Sequence, residues 1–550
     1  MSRVGLLAVL LAVACEEPFR FSAPAAVVRV APDSIAIASG ATAQLHAVVE
    51  DSAGNPVSRS VTWATTNSAV ATIDQSGVVT GEGDGLATIT ATVGEVSGSA
   101  KVTVRAPVAS VTIALENQEL VAGGRLRFAA VPRDLGGVPL IGRTVAWSIS
   151  DPAIAGLSVD AGDAVVTGFT PGTATLTATS EGRSESVTVT VSVVRFTAIV
   201  AAESDHTCAR TAAGAVYCWG ADDLGQLGNG VAPRSTTPSR VTGAPALATV
   251  SPGGRFTCAL ASDGDPYCWG SGASGRLGNG SDDDSALPVA VASPQALREL
   301  SSGWGLTCGF GAGGGTYCWG NAGALGSDTL KFSAVPVPIG GELSLHAVGV
   351  GNRYACALAA DSAAYCWGTN LDGRLGRTDV AYTDEPVAVV GGLTFDTLVA
   401  GPVHACALTP AGAAYCWGGN NAGQLGDSTI TGGATPGPVS GGLAFQLLSA
   451  GTAHTCGLTA AGSAWCWGSN GEGQLGAAPG AEACAGVPCS TAPVAVSGDL
   501  RFTTISAGGA HTCGIATDGV AYCWGSNGGG ELGDGTTTAS AVPVRVVGQP

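Results

Sequence analysis

Fourteen of the chain's 17 cysteines fall in seven pairs, each written Cys, nine residues, Cys-Trp-Gly. The pairs are Cys208/Cys218, Cys258/Cys268, Cys308/Cys318, Cys356/Cys366, Cys406/Cys416, Cys456/Cys466 and Cys513/Cys523. Thiols at such a spacing could hold zinc, form disulfides or pack reduced. A zinc site needs four ligands gathered in space, and one cysteine pair does not supply them. Disulfides need the two cysteines opposite each other, and hairpin geometry provides that. Six repeats place Gly six residues after the first cysteine (Gly214, Gly264, Gly314, Gly412, Gly462, Gly519), with Ser362 as the exception. A three-residue turn with a left-handed third residue suits this spacing. Counting outward from Thr211 and Ala215 then sets Cys208 across from Cys218 in a non-hydrogen-bonded pair, with Cα atoms about 4.5 Å apart, within disulfide reach. Cys484 and Cys489 are expected to close a small loop of their own. Cys15 is left over.

Other chemistry is sparse. No Gly-x-Ser-x-Gly turn and no phosphate-cradling loop occurs, so the chain reads as a protein that is not an enzyme and carries no cofactor or metal. Asp282, Asp283 and Asp284 read as a solvated loop run rather than a calcium loop. Two residues before each first cysteine stand His206, Phe256, Leu306, Tyr354, His404, His454 and His511. The repeated histidines suit a structural job. The departures Arg255, Phe256, Trp304, Arg353 and Tyr354 are aromatics and arginines, the residues that dominate binding hot spots, and are the candidate partner-binding residues.

These pairs must be positioned by a repeated element. Successive second cysteines lie 50, 50, 48, 50, 50 and 57 residues apart. A unit of that size holds four short strands, whose sheet buries both faces only when blades stack radially into a β-propeller. His-Thr-Cys at 206–208, 454–456 and 511–513, Cys-Trp-Gly in all seven units, and Gly-Gln-Leu-Gly at 225–228, 423–426 and 473–476 carry a family resemblance. Gly-Arg-Leu-Gly at 275–278 and 373–376 belongs with them. Residues 195–550 resemble the repeats of the regulator of chromosome condensation family, which implies a seven-bladed propeller. Intracellular members keep such cysteines reduced. After the last repeat the chain stops at 544–548, without the strand that follows the other repeats. Residues 195–201 are therefore expected to supply that strand to the last blade.

Ahead of the propeller, Trp63, Val78-Val-Thr-Gly81 and Ala87–Thr92 recur as Trp147, Val165-Val-Thr-Gly168 and Ala174–Thr179. Alternation along these segments has the period of a half-buried strand. Residues 27–105 and 108–193 resemble bacterial immunoglobulin-like domains of group 2, each with one Trp expected in its core. The fold class is all-β, two Ig-like β-sandwich domains followed by a seven-bladed β-propeller.

Residues 1–15 have a short basic start and an apolar run from Val4 to Ala14, the form of an export signal too short to span a bilayer of roughly 30 Å. Ala12-Val-Ala-Cys15 resembles a lipobox, which implies lipidation at Cys15, with residues 16–26 as tether. A net charge of −18 argues against nucleic acid, which needs clustered Lys and Arg. The resulting expectation is a monomer in the cell envelope, or secreted, whose only membrane tie is its lipid. Its propeller face would bind an unknown protein or glycan, with the Ig-like domains as stalk. Guanine-nucleotide exchange, the activity of the nuclear family member, is the alternative, and a structural surface or adhesion role is a further one.

Overall fold

The computed structural model describes residues 24–114, 120–122, 124–230, 234–321, 325, 332–339, 343–478 and 482–549. The export segment and Cys15 lie outside the described residues, as does most of the tether.

In the first sandwich, Ala87, Ile89 and Ala91 are at most 1% exposed and alternate with half-exposed threonines, so one face of the strand Gly85–Val93 is core. This strand sits in a four-stranded sheet with Ser34–Ala38, Val96–Arg105 and Thr62–Thr65. Facing it are Thr42–Gln44, Val78–Gly81 and Ala71–Ile73, plus the pair Val27–Ala31 and His46–Glu50. Trp63 fills the core as expected.

The second sandwich sets Ser110–Ala114, Arg125–Arg133, Asp163–Gly168 and Ala155–Asp160 against a sheet of Leu120–Val121, Arg183–Ser192, Gly172–Ser180 and Ala146–Ile149. Here the Trp packs against the core but does not fill it. Phe128 occupies the core, while Trp147 is only half-buried and donates its indole N–H to Gly162 O at 3.0 Å.

Neither junction between domains is a loose linker. Arg143, its side chain 6% exposed, reaches Asp84 Oδ1 of the first sandwich at 2.6 Å and Glu181 Oε1 of the second at 3.3 Å. It also donates to Ala106 O at 2.8 Å. Val121 of the second sandwich is buried in a cluster with Val194, Phe196, Trp219, Ile515 and Val546, and so sits on the seam between the first and last blades.

The propeller is seven sheets, each built from four consecutive strands, with Ala483–Cys484 added to the edge of the sixth. The first blade is Phe196–Ala201, His206–Thr211, Val216–Ala221 and Arg234–Arg240. The last is Phe502–Ala507, His511–Ala516, Ala521–Gly525 and Ser540–Arg545. The expected strand exchange is therefore overturned: Phe196–Ala201 pairs with His206–Thr211 inside blade one, and the last blade is complete without it. A blade begins with the strand before the first cysteine, so every repeat, the first included, brings its own. The ring still closes, because the first strands of all blades touch in cyclic order around the axis.

Each cysteine pair lies in register across the second and third strands of its blade, as counting along the hairpin requires. All seven pairs are disulfides. Blades one to four hold Cys208–Cys218, Cys258–Cys268, Cys308–Cys318 and Cys356–Cys366. Blades five to seven hold Cys406–Cys416, Cys456–Cys466 and Cys513–Cys523. Their Cα atoms are 4.0 to 4.1 Å apart. That corrects the expected separation of about 4.5 Å, because the covalent bridge draws the two strands together at that rung. The reduced pairs of the intracellular relatives are therefore not the state seen here. Cys484–Cys489 is an eighth disulfide and closes the small loop on the sixth blade.

Gly214 takes the left-handed turn position at φ 80°, and Ser362 adopts the same region at φ 66°. The closing glycine of each Gly-Gln-Leu-Gly loop is needed for another reason. A Cβ on Gly228 would lie 2.6 Å from the Trp269 indole nitrogen of the next blade.

Candidate functional site on the first-loop face

Because all blades run in the same sense, the seven loops joining first to second strands emerge at one end of the axis. The Gly-Gln-Leu-Gly loops join third to fourth strands and reach the same end. Backbone bonds run from loop to loop, as from Gly254 N to Gly303 O at 3.1 Å, Thr452 N to Gly508 O at 3.0 Å and Gly509 N to Ala202 O at 2.8 Å. The result is a stiff platform.

Beneath it runs a network that the histidines complete. The carbonyl of Gln226 accepts both the Trp269 indole N–H at 2.9 Å and the Thr257 hydroxyl at 3.0 Å. Since the Thr257 proton is spent on that carbonyl, His206 Nε2, 3.0 Å away, is the donor to the Thr257 oxygen. His404–Thr455, His454–Thr512 and His511–Thr207 repeat the arrangement at 2.8 to 2.9 Å. All four rings are at most 1% exposed. Burial holds His206 and His454 down to about 3, and His404 and His511 to about 4, so all four stay neutral. The repeated histidines are structural.

The same rule explains one of the candidate partner-binding residues, Tyr354, and corrects it. Where the next blade has Ala instead of Thr, no histidine precedes it: Leu306 faces a blade with Ala355, and Tyr354 a blade with Ala405. Tyr354 is fully buried, its hydroxyl 2.8 Å from Gly401 O and 2.6 Å from His404 O, with the Arg374 guanidinium 5.5 Å over its ring. Phe256 is also fully buried. A side chain with no exposed surface cannot meet a partner, so Phe256 and Tyr354 leave the candidate site.

The other three stand on the surface. Trp304 is 41% exposed. Arg255 is half exposed and 3.7 Å from Asp223, and Arg353 is exposed at a left-handed φ of 65°. The neighbouring loops pack tightly: a Cβ on Gly254 would lie 2.3 Å from Trp304 O.

Arg276 joins them, although the sequence reading did not single it out. Its Nε lies 3.2 Å from where a Cβ on Gly305 would stand, directly beside Trp304. Its signal was Arg at the Gln place of the Gly-Gln-Leu-Gly loop. Gln226, Gln424 and Gln474 each accept the amide two residues back through their side-chain oxygen. Arginine has no acceptor. The loops of Arg276 and Arg374 instead form 3-10 turns at Ala273–Gly275 and Leu371–Gly373, with Ser274 and Asp372 left-handed at φ 61° and 59°.

The disulfides belong to an oxidising compartment outside the cytosol. Residues 24–104 match the bacterial Ig-like domain (group 2). The regulator of chromosome condensation (RCC1) repeat matches at 199–226, 396–424, 445–474 and 502–531, and a second profile of that repeat matches at 213–260, 263–309 and 461–515. Prp20p from Saccharomyces cerevisiae has a similar fold, with TM-score 0.56 at 19% identity over 64% of this chain and 87% of that one. Human WBSCR16 has TM-score 0.54 at 19% identity, over 60% of this chain and 94% of that one. Ice-binding protein 1 of Shewanella frigidimarina is 33% identical over 168 residues, 30% of this chain and 18% of that protein. The chain thus spans less than a fifth of that relative's length. With seven four-stranded blades, the Trp–loop network between them and the matched repeats, the chain carries RCC1 repeats folded as a seven-bladed β-propeller and a bacterial Ig-like (group 2) domain ahead of its ring.

Proposed function

We propose that the protein is an exported, non-catalytic binding module that holds a protein or glycan on the first-loop face of blades two to four. The observation that carries this reading is Trp304. It is 41% exposed on a backbone-bonded platform whose equivalent central positions are mostly small, and the Arg276 guanidinium lies beside the adjoining Gly305. An exposed Trp costs burial energy that the fold gains nothing from, and rigid Trp with Arg is what binding centres use. The likeness to a protein named for binding ice supports a surface binding role in general, and ice becomes one arm of the test. The Ig-like domains act as a stalk, and lipidation at Cys15 ties the chain to a membrane.

Purified full chain is titrated against purified envelope glycans, envelope proteins and ice, alongside Trp304→Ala and Arg255→Ala/Arg353→Ala. A partner whose affinity falls at least tenfold in the Trp304 variant, with an unchanged melting temperature, supports the face. Equal affinity of wild type and variants for every partner overturns it. Cys15→Ser, with metabolic labelling by palmitate, tests the anchor.

A further inference from the structure

Glu203 stands three residues before His206, in the first loop of blade one. This loop is one residue longer in blade one than in the other six: Ala202, whose N–H donates to His206 O at 3.0 Å, stands where they have Gly253, Gly303, Gly351, Gly401, Gly451 and Gly508, and Glu203 is the added residue. Those glycines have no room for a side chain toward their neighbours. A Cβ on each would lie 2.4 to 2.6 Å from a carbonyl oxygen of the next blade. Blade one alone carries an extra residue after this ring position, and its side chain is a carboxyl group.

The carboxyl meets the axial channel, a space of about 240 Å³ lined by the first strands and by Ser251, Ser301, Ser302, Ser449 and Ser506. Glu203 is the one ionisable residue among its described lining residues. It is only 9% exposed, and its Oε2 has no hydrogen-bond partner among the described residues. The serines offer oxygens rather than charge. Ser251, Ser449 and Ser506 each accept one backbone amide of the next blade, from Ser302, Ala507 and Ala201 at 2.8 to 3.0 Å, and each keeps a second lone pair. Burial pushes the lone carboxyl well above the usual range.

An unpaired carboxylate in a buried site costs several kcal/mol unless it is neutralised or paired. Six blades close this loop without the added residue, so the carboxyl is not there for the fold. We propose that Glu203 and the serine-lined channel form a binding site for one small, oxygen-seeking cation. A carboxylate among neutral hydroxyl oxygens is a hard donor set, of the kind calcium takes. A single ligand charge places it at the weak end for such sites, a Kd of about 10⁻⁴ to 10⁻³ M. A chain with net charge −18 also raises the local concentration of cations.

The test is calorimetric titration of the full chain with CaCl2, MgCl2 and KCl at constant ionic strength, with thermal melts in the same series. Glu203→Gln keeps the side chain's volume and removes its charge. Glu203→Gly removes the whole side chain at an added loop position and guards against a variant that fails to fold. Saturable binding of one ion per chain by the wild type, weakened at least tenfold in both variants, supports the site, and the salt that saturates it gives the valence. If no salt shifts the wild type more than the variants, Glu203 is a protonated acid in a water-filled channel and the proposal falls.

Discussion

His511 Nε2 lies 2.9 Å from Thr207 Oγ1, although 304 residues separate them. This bond crosses the seam between the last blade and the first. Around it, Thr207 and Trp219 both donate to Glu531 O, at 2.9 and 2.8 Å, and Ser506 Oγ accepts the Ala201 amide at 3.0 Å. Closure is thus made by side chains and by the apolar cluster of Phe196, Trp219, Ile515 and Leu532, not by an exchanged strand.

Thr207→Val keeps the shape of the side chain but strands the His511 donor and one lone pair of the Glu531 carbonyl. A stranded buried group costs about 1–3 kcal/mol. Chemical denaturation should show a loss of that size. Limited proteolysis should show earliest cutting near the seam, at 194–206 or 540–549. Cutting spread evenly over the blades would mean that the seam is no weaker than other joints.

Tyr354 and Ala405 form a matched pair, as His404 and Thr455 do. Tyr354→His alone removes the bonds to Gly401 O and His404 O and gives the ring nitrogen no hydroxyl to meet, so stability should fall by about 1–3 kcal/mol. Adding Ala405→Thr should restore part of the loss, with a coupling of about 0.5–3 kcal/mol in a double-mutant cycle. Strict additivity would show that the Thr partner does not select the residue before it.

The buried histidines predict how stability depends on pH. Their folded values of about 3 to 4 lie below the unfolded value of 6.5. Below pH 6.5 the unfolded chain binds protons that the folded one refuses, so their stabilising contribution is complete above that pH and declines as pH falls toward 4. Burial raises the carboxyls of Glu203, Glu531 and Asp222, the last to about 6, and these act in the opposite sense. The clean measurement is therefore a difference. His454→Gln should be less stable than wild type at pH 7.5 but lose less of its melting temperature between pH 7.5 and 5. Parallel pH curves would rule the histidines out.

The blade disulfides each close a loop with a sequence separation of 10, as Cys308–Cys318 does. Loops of this length confer about 2–3 kcal/mol on the chain-entropy account. Cys308→Ser with Cys318→Ser should cost about that much while leaving the other blades folded. Peptide mass mapping without reduction should recover each pair from the protein made in its native host. Free thiols at these positions in that protein would make the cysteines packing residues only.

Much of the architecture was legible in one dimension. The Cys-x9-Cys-Trp-Gly spacing implied hairpins with opposed cysteines, because turn geometry and the two-residue period of a strand are local rules that carry register with them. The glycines of the turns and of the Gly-Gln-Leu-Gly loops marked where a side chain has no room. Blade count followed from repetition. The proposed binding residues were legible only as departures from the repeat, and departure alone does not separate surface from core. Tyr354 differs from histidine because the next blade offers Ala405 in place of Thr, a contact set by packing about 50 residues away, whereas Phe256 is buried although the next blade offers Thr307. Trp304 differs and is exposed. The strand at 196–201 was assigned to the wrong end of the ring because period alone does not say where a repeat begins. The role of Glu203 depends on seven loops meeting at one axis. Local sequence determined the hairpins, their disulfides and the number of blades, since those follow from backbone geometry within a few residues. Only the closed ring decided which departures face solvent, which face a neighbouring blade, and which single carboxyl stands in the channel, since burial is a property of surfaces brought together from distant parts of the chain.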